Sequence, residues 1–315
     1  MGFVGKRLAV TILTLFLVSF LSFAAFSVIP GDPALLALGT EASDEQLAAL
    51  RTEMGLDRGY FERYFSWLGK FLTGALGSSS RFRGQSISAL VAERLPVTFS
   101  LAFLSLALIL ILSVPLAILS VKKENGVTDR LLNTLTALTI SFPGFFLGIL
   151  FIWIFGLVFR LFVPGAYVDY RDNFPSFLAY LFFPALTVAI PNAAILVKFL
   201  RGAIFRQLKS DYVRTALSKG NTRRGVLRGH VLKNAAIPAI TTLGMIVAEI
   251  FSGSIVIEQV FGIPGIGRLL IASISSRDFA MVQTLAVYIA FVVVLANTLA
   301  DIAIRIVDPR IRFRA

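Results

Sequence analysis

Long apolar stretches alternate with shorter polar ones along this chain, and that alternation predicts its fold. Six stretches reach the roughly 20 apolar residues that a helix needs to cross a bilayer. Their approximate bounds are 8–29, 97–121, 133–160, 176–200, 236–257 and 281–306. Lipid offers no partners to backbone N–H and C=O groups, and the stretches lack the alternation of barrel strands, so each is predicted to be helical. The sequence predicts an all-α membrane protein with six transmembrane helices.

Composition supports a membrane protein. Of the 315 residues 57% are hydrophobic and 15% are charged, which is too apolar for an ordinary soluble domain. The first apolar stretch follows Lys6 and Arg7, but it is longer than the core of a signal peptide and lacks a good cleavage site. We therefore expect an uncleaved first transmembrane helix. The absence of cysteine excludes disulfides and thiol chemistry.

The distribution of charge predicts the membrane topology. Residues 201–235 carry nine basic side chains against one acidic one, whereas residues 30–95 carry eight acidic and seven basic ones. Basic segments favour the cytoplasmic side, so both termini are predicted to be cytoplasmic. The predicted division is a first transmembrane helix at 1–29, an extracytoplasmic region with short helices at 30–95, and a five-helix core at 96–315.

The extracytoplasmic region is predicted to contain two helices. Ser43 and Gln46 have the spacing of a capping box, and Gly55 is a suitable stop for the helix that they begin. A second helix at 58–73 is rich in aromatic residues. Two interpretations of it remain open, an amphipathic helix on the lipid headgroups or a docking platform for a soluble partner.

Prolines are predicted to kink or interrupt two of the membrane helices. The third span contains Phe142-Pro143-Gly144, and the fourth contains Pro184 and Pro191. Proline lacks a backbone donor and clashes with the preceding turn. Such helices often line a path, although neighbouring helices can also simply satisfy the freed backbone groups.

The basic segment at 203–235 is predicted to form a cytoplasmic coupling loop. A short helix capped by Ser210 or Asp211 is expected to end at Gly220, which suits the left-handed position after a helix. Thr222 is expected to cap a second helix that ends near Asn234, before the proline of the fifth span. A short, stiff pair of this kind predicts contact with another protein; an anionic-lipid-binding loop is the alternative.

Candidate catalytic chemistry is not found in the sequence. The segment Gly220 to Gly225 has the glycine spacing of a phosphate-binding loop but continues with Val226 and Leu227 in place of Lys and Ser or Thr. We therefore predict that this chain does not hydrolyse ATP by itself and is not an enzyme. Glu249 falls near the middle of the fifth span, where a carboxylate is costly. It either faces a translocation path, where it contacts a cationic group of the substrate, or has a structural role, through a hydrogen bond to a neighbouring helix or as a protonated acid.

The chain resembles the inner-membrane permeases of binding-protein-dependent ABC importers. The signature loop of those permeases has an Ala-containing helix, followed by a Gly and a downstream Pro. Within them it is most similar to the first permease subunit of the oligopeptide, dipeptide and nickel family. The stretches that carry the resemblance are Ile29-Pro-Gly-Asp-Pro33, Arg94-Leu-Pro-Val-Thr98, Tyr212-Val-Arg-Thr-Ala216, Lys219-Gly220, His230 to Asn234, Glu258 to Arg268, Arg277-Asp278 and Asp308 to Arg312. The departures from common family choices, which leave the substrate open, are Ala75, Leu217, Ser218, Asn221 and Ala280.

The resemblance implies a type I ABC importer permease fold in a bacterial or archaeal cytoplasmic membrane. It implies a homologous second permease, two ATPase subunits that bind ATP and Mg, and an extracytoplasmic binding protein, with no cofactor in this chain. The residues that it assigns to ATPase coupling are Tyr212, Arg214, Ala216, Lys219 and Gly220. Short peptides are the expected substrate, with nickel or another small solute as the alternative. An ion-coupled secondary transporter is the rival class, although no internal repeat supports it.

Overall fold

The computed structural model describes residues 3–28, 34–35, 42–53, 55–82, 84–122 and 126–307. These residues are mostly helical. The main helices are α1 (Phe3–Val28), α2 (Asp44–Glu53), α3 (Tyr60–Thr73), α4 (Ile87–Lys122), α5 (Val127–Ser141), α6 (Gly144–Phe151), α7 (Phe174–Leu208), α8 (Asp211–Ser218), α9 (Arg223–Val226), α10 (Leu232–Phe261), α11 (Ile266–Ser275) and α12 (Phe279–Val307). They belong to two compact units, one of residues 1–96 and 264–294 and the other of residues 97–263 and 295–315.

Five of the predicted spans coincide with helices that are long and apolar enough to cross a membrane. These helices are Gly5–Val28, Ile87–Val121, Phe174–Leu208, Arg223–Phe261 and Phe279–Ala303. The remaining span is a pair of helical segments bent by 100° at Phe142 and Pro143. Phe142 is extended, as expected for a residue before proline. The predicted interruption of the third span is therefore confirmed.

The prolines of the longer helices behave differently. α7 runs unbroken through Pro184 and Pro191, so neither proline interrupts it. The predicted end near Asn234 is wrong, because the helix that starts at Arg223 continues through Pro238 to Phe261. A single proline removes one backbone donor, and a long apolar helix in lipid keeps its remaining bonds.

The local signals predicted for the first helix after α1 are confirmed. The amide of Ser43 donates to Gln46 Oε1 at 3.0 Å, and the amide of Gln46 donates to Ser43 Oγ at 3.3 Å. These two bonds form the predicted capping box of α2. Gly55 follows the helix with a φ of +68°, which glycine adopts without strain.

Aromatic side chains join α3 to α1 in the first unit. Tyr64 is almost fully buried, and its hydroxyl lies 2.8 Å from Ser19 Oγ. Its ring meets that of Phe20 edge to face, with centroids 5.2 Å apart. The other side of α3 leaves Phe61 and Phe65 exposed. The aromatic helix is therefore amphipathic, and part of its aromatic surface is used to pack against the first span.

A buried carboxylate fixes another part of the first unit. Asp278 is 1% exposed and caps α12 by accepting from the amide of Met281 at 3.2 Å. Its other oxygen accepts from the Ser79 hydroxyl and from the Arg81 amide. The loop that precedes α4 is thereby tied to the start of α12.

The core of the second unit lies chiefly between α7 and α10. Leu181 and Leu196 of α7 and Ile246 and Ile250 of α10 are almost fully buried in one hydrophobic cluster. The C-terminal end of α7, at Leu208, leads directly into the basic segment. This core therefore positions the basic segment.

Candidate functional site

The basic segment folds as a helix, a tight turn and a second helix; we call residues 210–231 the elbow. α8 ends in a turn where Gly220 has a φ of +84°. The amide of Gly220 donates to Leu217 O at 3.0 Å, and the amide of Asn221 donates to Ala216 O at 3.3 Å. This pair of bonds is the Schellman arrangement that closes a helix through a left-handed residue. The predicted role of Gly220 in the turn is confirmed.

The second arm of the elbow leads directly into a membrane span. The Thr222 hydroxyl accepts from the amide of Gly225 at 3.1 Å and caps α9, as predicted. The chain then passes through a π-helical segment, Leu227–Val231, into α10 without a break. The backbone is therefore helical from Arg223 to Phe261, so the second arm of the elbow and the span form one continuous helix.

Buried side chains hold the elbow against the second unit. Val213 of α8, Val226 of α9 and Val231 of the π-helical segment are at most 4% exposed and belong to the main hydrophobic cluster. Tyr212 and Ala216 are half-buried against the same cluster. The Tyr212 hydroxyl and Gln207 Oε1 lie 2.9 Å apart, which links α8 to the end of α7. Both arms are therefore anchored to the core.

The outer surface of the elbow is exposed and positively charged. Arg214, Lys219 and Gly220 are exposed. Arg214 lies 3.9 Å from Asp211, but the two side chains are 80% and 98% exposed, so this pair contributes little to stability. The structure thus divides the predicted coupling residues in two: Tyr212 and Ala216 face inward and support α8, and the others are open to a partner.

Glu249 lies away from the elbow, on an exposed face of α10 that carries both polar and apolar side chains. It is exposed in the isolated chain, as are Thr241, Met245 and Ser252, which recur on the same face at helical spacing. Within the described part of the chain its side chain has no hydrogen-bond or salt-bridge partner. Bonding to a neighbouring helix of this chain, one of the two interpretations offered for Glu249, therefore finds no support here.

Sequence reasoning missed a buried polar pair in the second unit. The hydroxyl of Thr98 donates to Glu258 Oε1 at 2.7 Å, and Glu258 is fully buried. One turn further, the hydroxyl of Tyr180 donates to Phe261 O, and the amide of Ile263 donates to Glu258 O at 2.8 Å. Thr98 and Glu258 each lie in a stretch that carries the family resemblance, but no sequence signal pairs residues 160 positions apart.

Two family models together match most of the chain. Residues 1–102 match the N-terminal component of the binding-protein-dependent transport system membrane proteins. Residues 113–313 match the binding-protein-dependent transport system inner membrane component. The second match contains the elbow and the face of α10 that carries Glu249.

Individual relatives match over nearly their full length. A probable peptide ABC transporter permease of Sinorhizobium fredii is 33% identical over 311 residues, which cover 99% of each chain. A putative peptide transport system permease of Brucella abortus is 35% identical over 308 residues, 98% of each chain. A dipeptide transport system permease of Lactococcus lactis is 31% identical over 310 residues, 98% of this chain and 99% of the relative.

Proposed function

Since this chain belongs to the family of binding-protein-dependent transport system inner-membrane components, we propose that it forms half of the translocation path of a peptide importer. The chain is a membrane-spanning permease of the ABC importer class and not an enzyme. The other half of the path comes from a homologous second permease. Short peptides are the proposed substrates, because relatives that match nearly the whole chain are named as peptide or dipeptide permeases.

The proposed partners follow from the class of transporter. Two ATPase subunits, which bind ATP and Mg, lie beneath the pair of permeases, and a binding protein delivers the peptide from outside. The chain is proposed to lie in the cytoplasmic membrane of a bacterium or archaeon with both termini inside, since this places the basic elbow in the cytoplasm. Nickel or another small solute is the alternative substrate.

The elbow is the proposed contact with one ATPase. The observation that carries this proposal is the unbroken helix from Arg223 to Phe261, which joins the elbow to the span that bears Glu249. Arg214, Lys219 and Gly220 form the exposed contact surface, and Tyr212 and Ala216 hold α8 on the core. ATP-driven closure of the ATPases would then favour one conformation of the permease over the other, since nucleotide binds the two with different affinity.

Purification of the assembled transporter tests this proposal. The chain is expected to copurify with ATPase subunits and a second permease, and uptake of a dipeptide into vesicles is expected to require ATP and to be blocked by vanadate. Uptake by the purified chain alone, driven by an ion gradient, would contradict the proposal and favour a secondary transporter.

Glu249 is proposed to face the translocation path. A carboxylate at this depth of a span is costly unless water or a partner surrounds it, and its helix face also carries Thr241 and Ser252. In the assembled transporter this face would line the space between the two permeases. There the carboxylate would attract the amino terminus or another cationic group of a peptide.

Replacing Glu249 with glutamine is expected to lower the uptake of peptides with additional positive charge more than that of neutral ones. The substitution removes the charge and keeps the size, so a loss of about 1–2 kcal/mol, roughly five- to thirtyfold, is expected for cationic peptides at a partly hydrated site. The measurement compares uptake of a lysine-containing dipeptide and dialanine in vesicles. Ser252→Ala on the same face is the control and is expected to take up both peptides as wild type does. The assignment would be contradicted if Glu249→Gln took up the lysine-containing dipeptide and dialanine in the same ratio as wild type.

A further inference from the structure

A cavity lies beside the elbow where α9 and the π-helical segment pass the end of α4. Its volume is about 310 Å³, and it is lined by Ile118, Arg224, Leu227, Arg228 and Leu232. That volume is within the range of roughly 300–1,000 Å³ that is typical of small-molecule sites. Two guanidinium groups and three aliphatic side chains therefore share one pocket, a combination that suits an amphiphilic ligand.

The positive charge of this cavity favours an anionic ligand. Arg224 and Arg228 are one helical turn apart, and both are exposed. Neither has a salt-bridge partner among the residues that the structure describes. Asp211, the one acidic residue of segment 201–235, lies beside Arg214. Guanidinium groups bind phosphate oxygens in a planar, bidentate manner, so a phosphate group fits the two unpaired cations.

The position of the cavity relative to the bilayer indicates where such a phosphate comes from. The helix Arg223–Phe261 has 39 residues. At 1.5 Å per residue it is roughly 58 Å long, against about 30 Å for the hydrocarbon core. The helix is therefore longer than the hydrocarbon core, and its basic first turns are expected to lie outside that core, on the side where α4 ends. Ile118 belongs to the candidate membrane-spanning helix α4, on which Val114 and Leu119 are also exposed in the isolated chain.

We propose that this cavity binds the headgroup of an anionic phospholipid from the adjoining leaflet. Arg224 and Arg228 hold the phosphate, and the first carbons of the acyl chains lie against Ile118, Leu227 and Leu232. A bilayer lipid would reach the cavity along α4, the candidate spanning helix that contributes Ile118 to the lining. The ATPase surface proposed above is a different part of the elbow, and lipid binding does not depend on that proposal.

The test measures binding of short-chain phosphatidylglycerol to the full-length chain purified in detergent. Arg224→Gln and Arg228→Gln are each expected to weaken binding about fivefold, and the double variant about thirtyfold, since one basic residue contributes about 1 kcal/mol to binding an anionic lipid. Arg223→Gln removes the same charge from the neighbouring position outside the cavity and is expected to leave binding unchanged. Arg224→Lys and Arg228→Lys are expected to retain most of the affinity, which separates loss of charge from loss of fold.

Three further arms identify the ligand. Short-chain phosphatidylcholine is expected to bind weakly to wild type and variants alike. Ile118→Asn is expected to weaken phosphatidylglycerol binding, because it places a polar group against the acyl chains. These two results together would support a lipid site. Equal weakening by Arg223→Gln would mean diffuse attraction and overturn the proposal. Inorganic phosphate that displaced phosphatidylglycerol at the same concentration as the lipid itself would indicate a site for free phosphate and would also overturn the proposal. Loss of ATPase copurification in the Arg224 and Arg228 variants, with lipid binding intact, would assign the cavity to the ATPase and overturn it as well.

Discussion

Replacing Gly220 with valine is expected to lower ATP-driven uptake by about five- to thirtyfold, because a left-handed backbone costs a residue with a Cβ roughly 1–2 kcal/mol. Gly220 has a φ of +84°, and a Cβ there would meet no atom within 4 Å. The cost is therefore conformational and not a clash. The turn would open, and the exposed surface of α8 would lose its orientation toward the ATPase. ATP hydrolysis and the amount of chain in the membrane are expected to change less than twofold.

The chain offers a matched control for this substitution. Gly74 ends α3 with a φ of +76° and equally open surroundings, but it lies far from the elbow in sequence. Gly74→Val should therefore strain a helix end to the same extent and leave uptake nearly intact. Gly220→Asn should retain most of the uptake, since asparagine tolerates this conformation better than valine does. Normal uptake by Gly220→Val, or an equal loss in Gly74→Val, would contradict the role of the elbow.

Replacing Gly244 with alanine is expected to destabilise the second unit by about 1–3 kcal/mol, the usual cost of overpacking. A Cβ at Gly244 would lie 2.5 Å from the Cβ of Ala300, which is fixed to the backbone of α12 and cannot rotate away. α10 and α12 would have to separate. Small residues permit this close approach of helices in lipid, where dispersion contacts between helices contribute to packing.

Gly253 provides the control for Gly244 on the same helix. A Cβ at Gly253 would meet nothing within 4 Å, so Gly253→Ala removes a flexible residue without a clash. This variant is expected to be as stable as wild type or more stable by up to about 1 kcal/mol, the helix propensity difference. Thermal unfolding of the purified transporter, followed by loss of its monodisperse size-exclusion peak, measures both. A Gly244→Ala protein as stable as Gly253→Ala would contradict the close contact.

Features that depend on short stretches of sequence were predictable. Apolar length located the spans because every backbone group in lipid must be satisfied within the segment. The break before Gly144, the capping box at Ser43 and the turns at Gly220 and Thr222 each depend on a few neighbouring residues, and the structure has all of them. The break before Gly144 was predictable because Phe142 precedes a proline, and a residue in that position avoids helical geometry.

Features that depend on tertiary packing were not predictable. The second helix of the elbow was expected to end before Pro238, but the helix runs through this proline because packing and lipid maintain the remaining backbone bonds. Glu258 begins a stretch that carries the family resemblance, but no local pattern predicts that it is fully buried and bonded to Thr98. For the elbow, the sequence predicts the turn but not that Tyr212 and Ala216 face inward, which depends on how α8 packs on the core.

One cross-linking measurement tests directly whether the elbow touches an ATPase. The chain has no cysteine, so Ser218→Cys places a single thiol on the exposed side of α8 with almost no change in shape. In the purified transporter, a thiol-specific photo-cross-linker at position 218 is expected to yield an adduct with an ATPase subunit. The same reagent on Ser275→Cys, exposed at the end of α11, should yield none. No ATPase adduct from position 218, or equal adducts from both positions, would contradict the account.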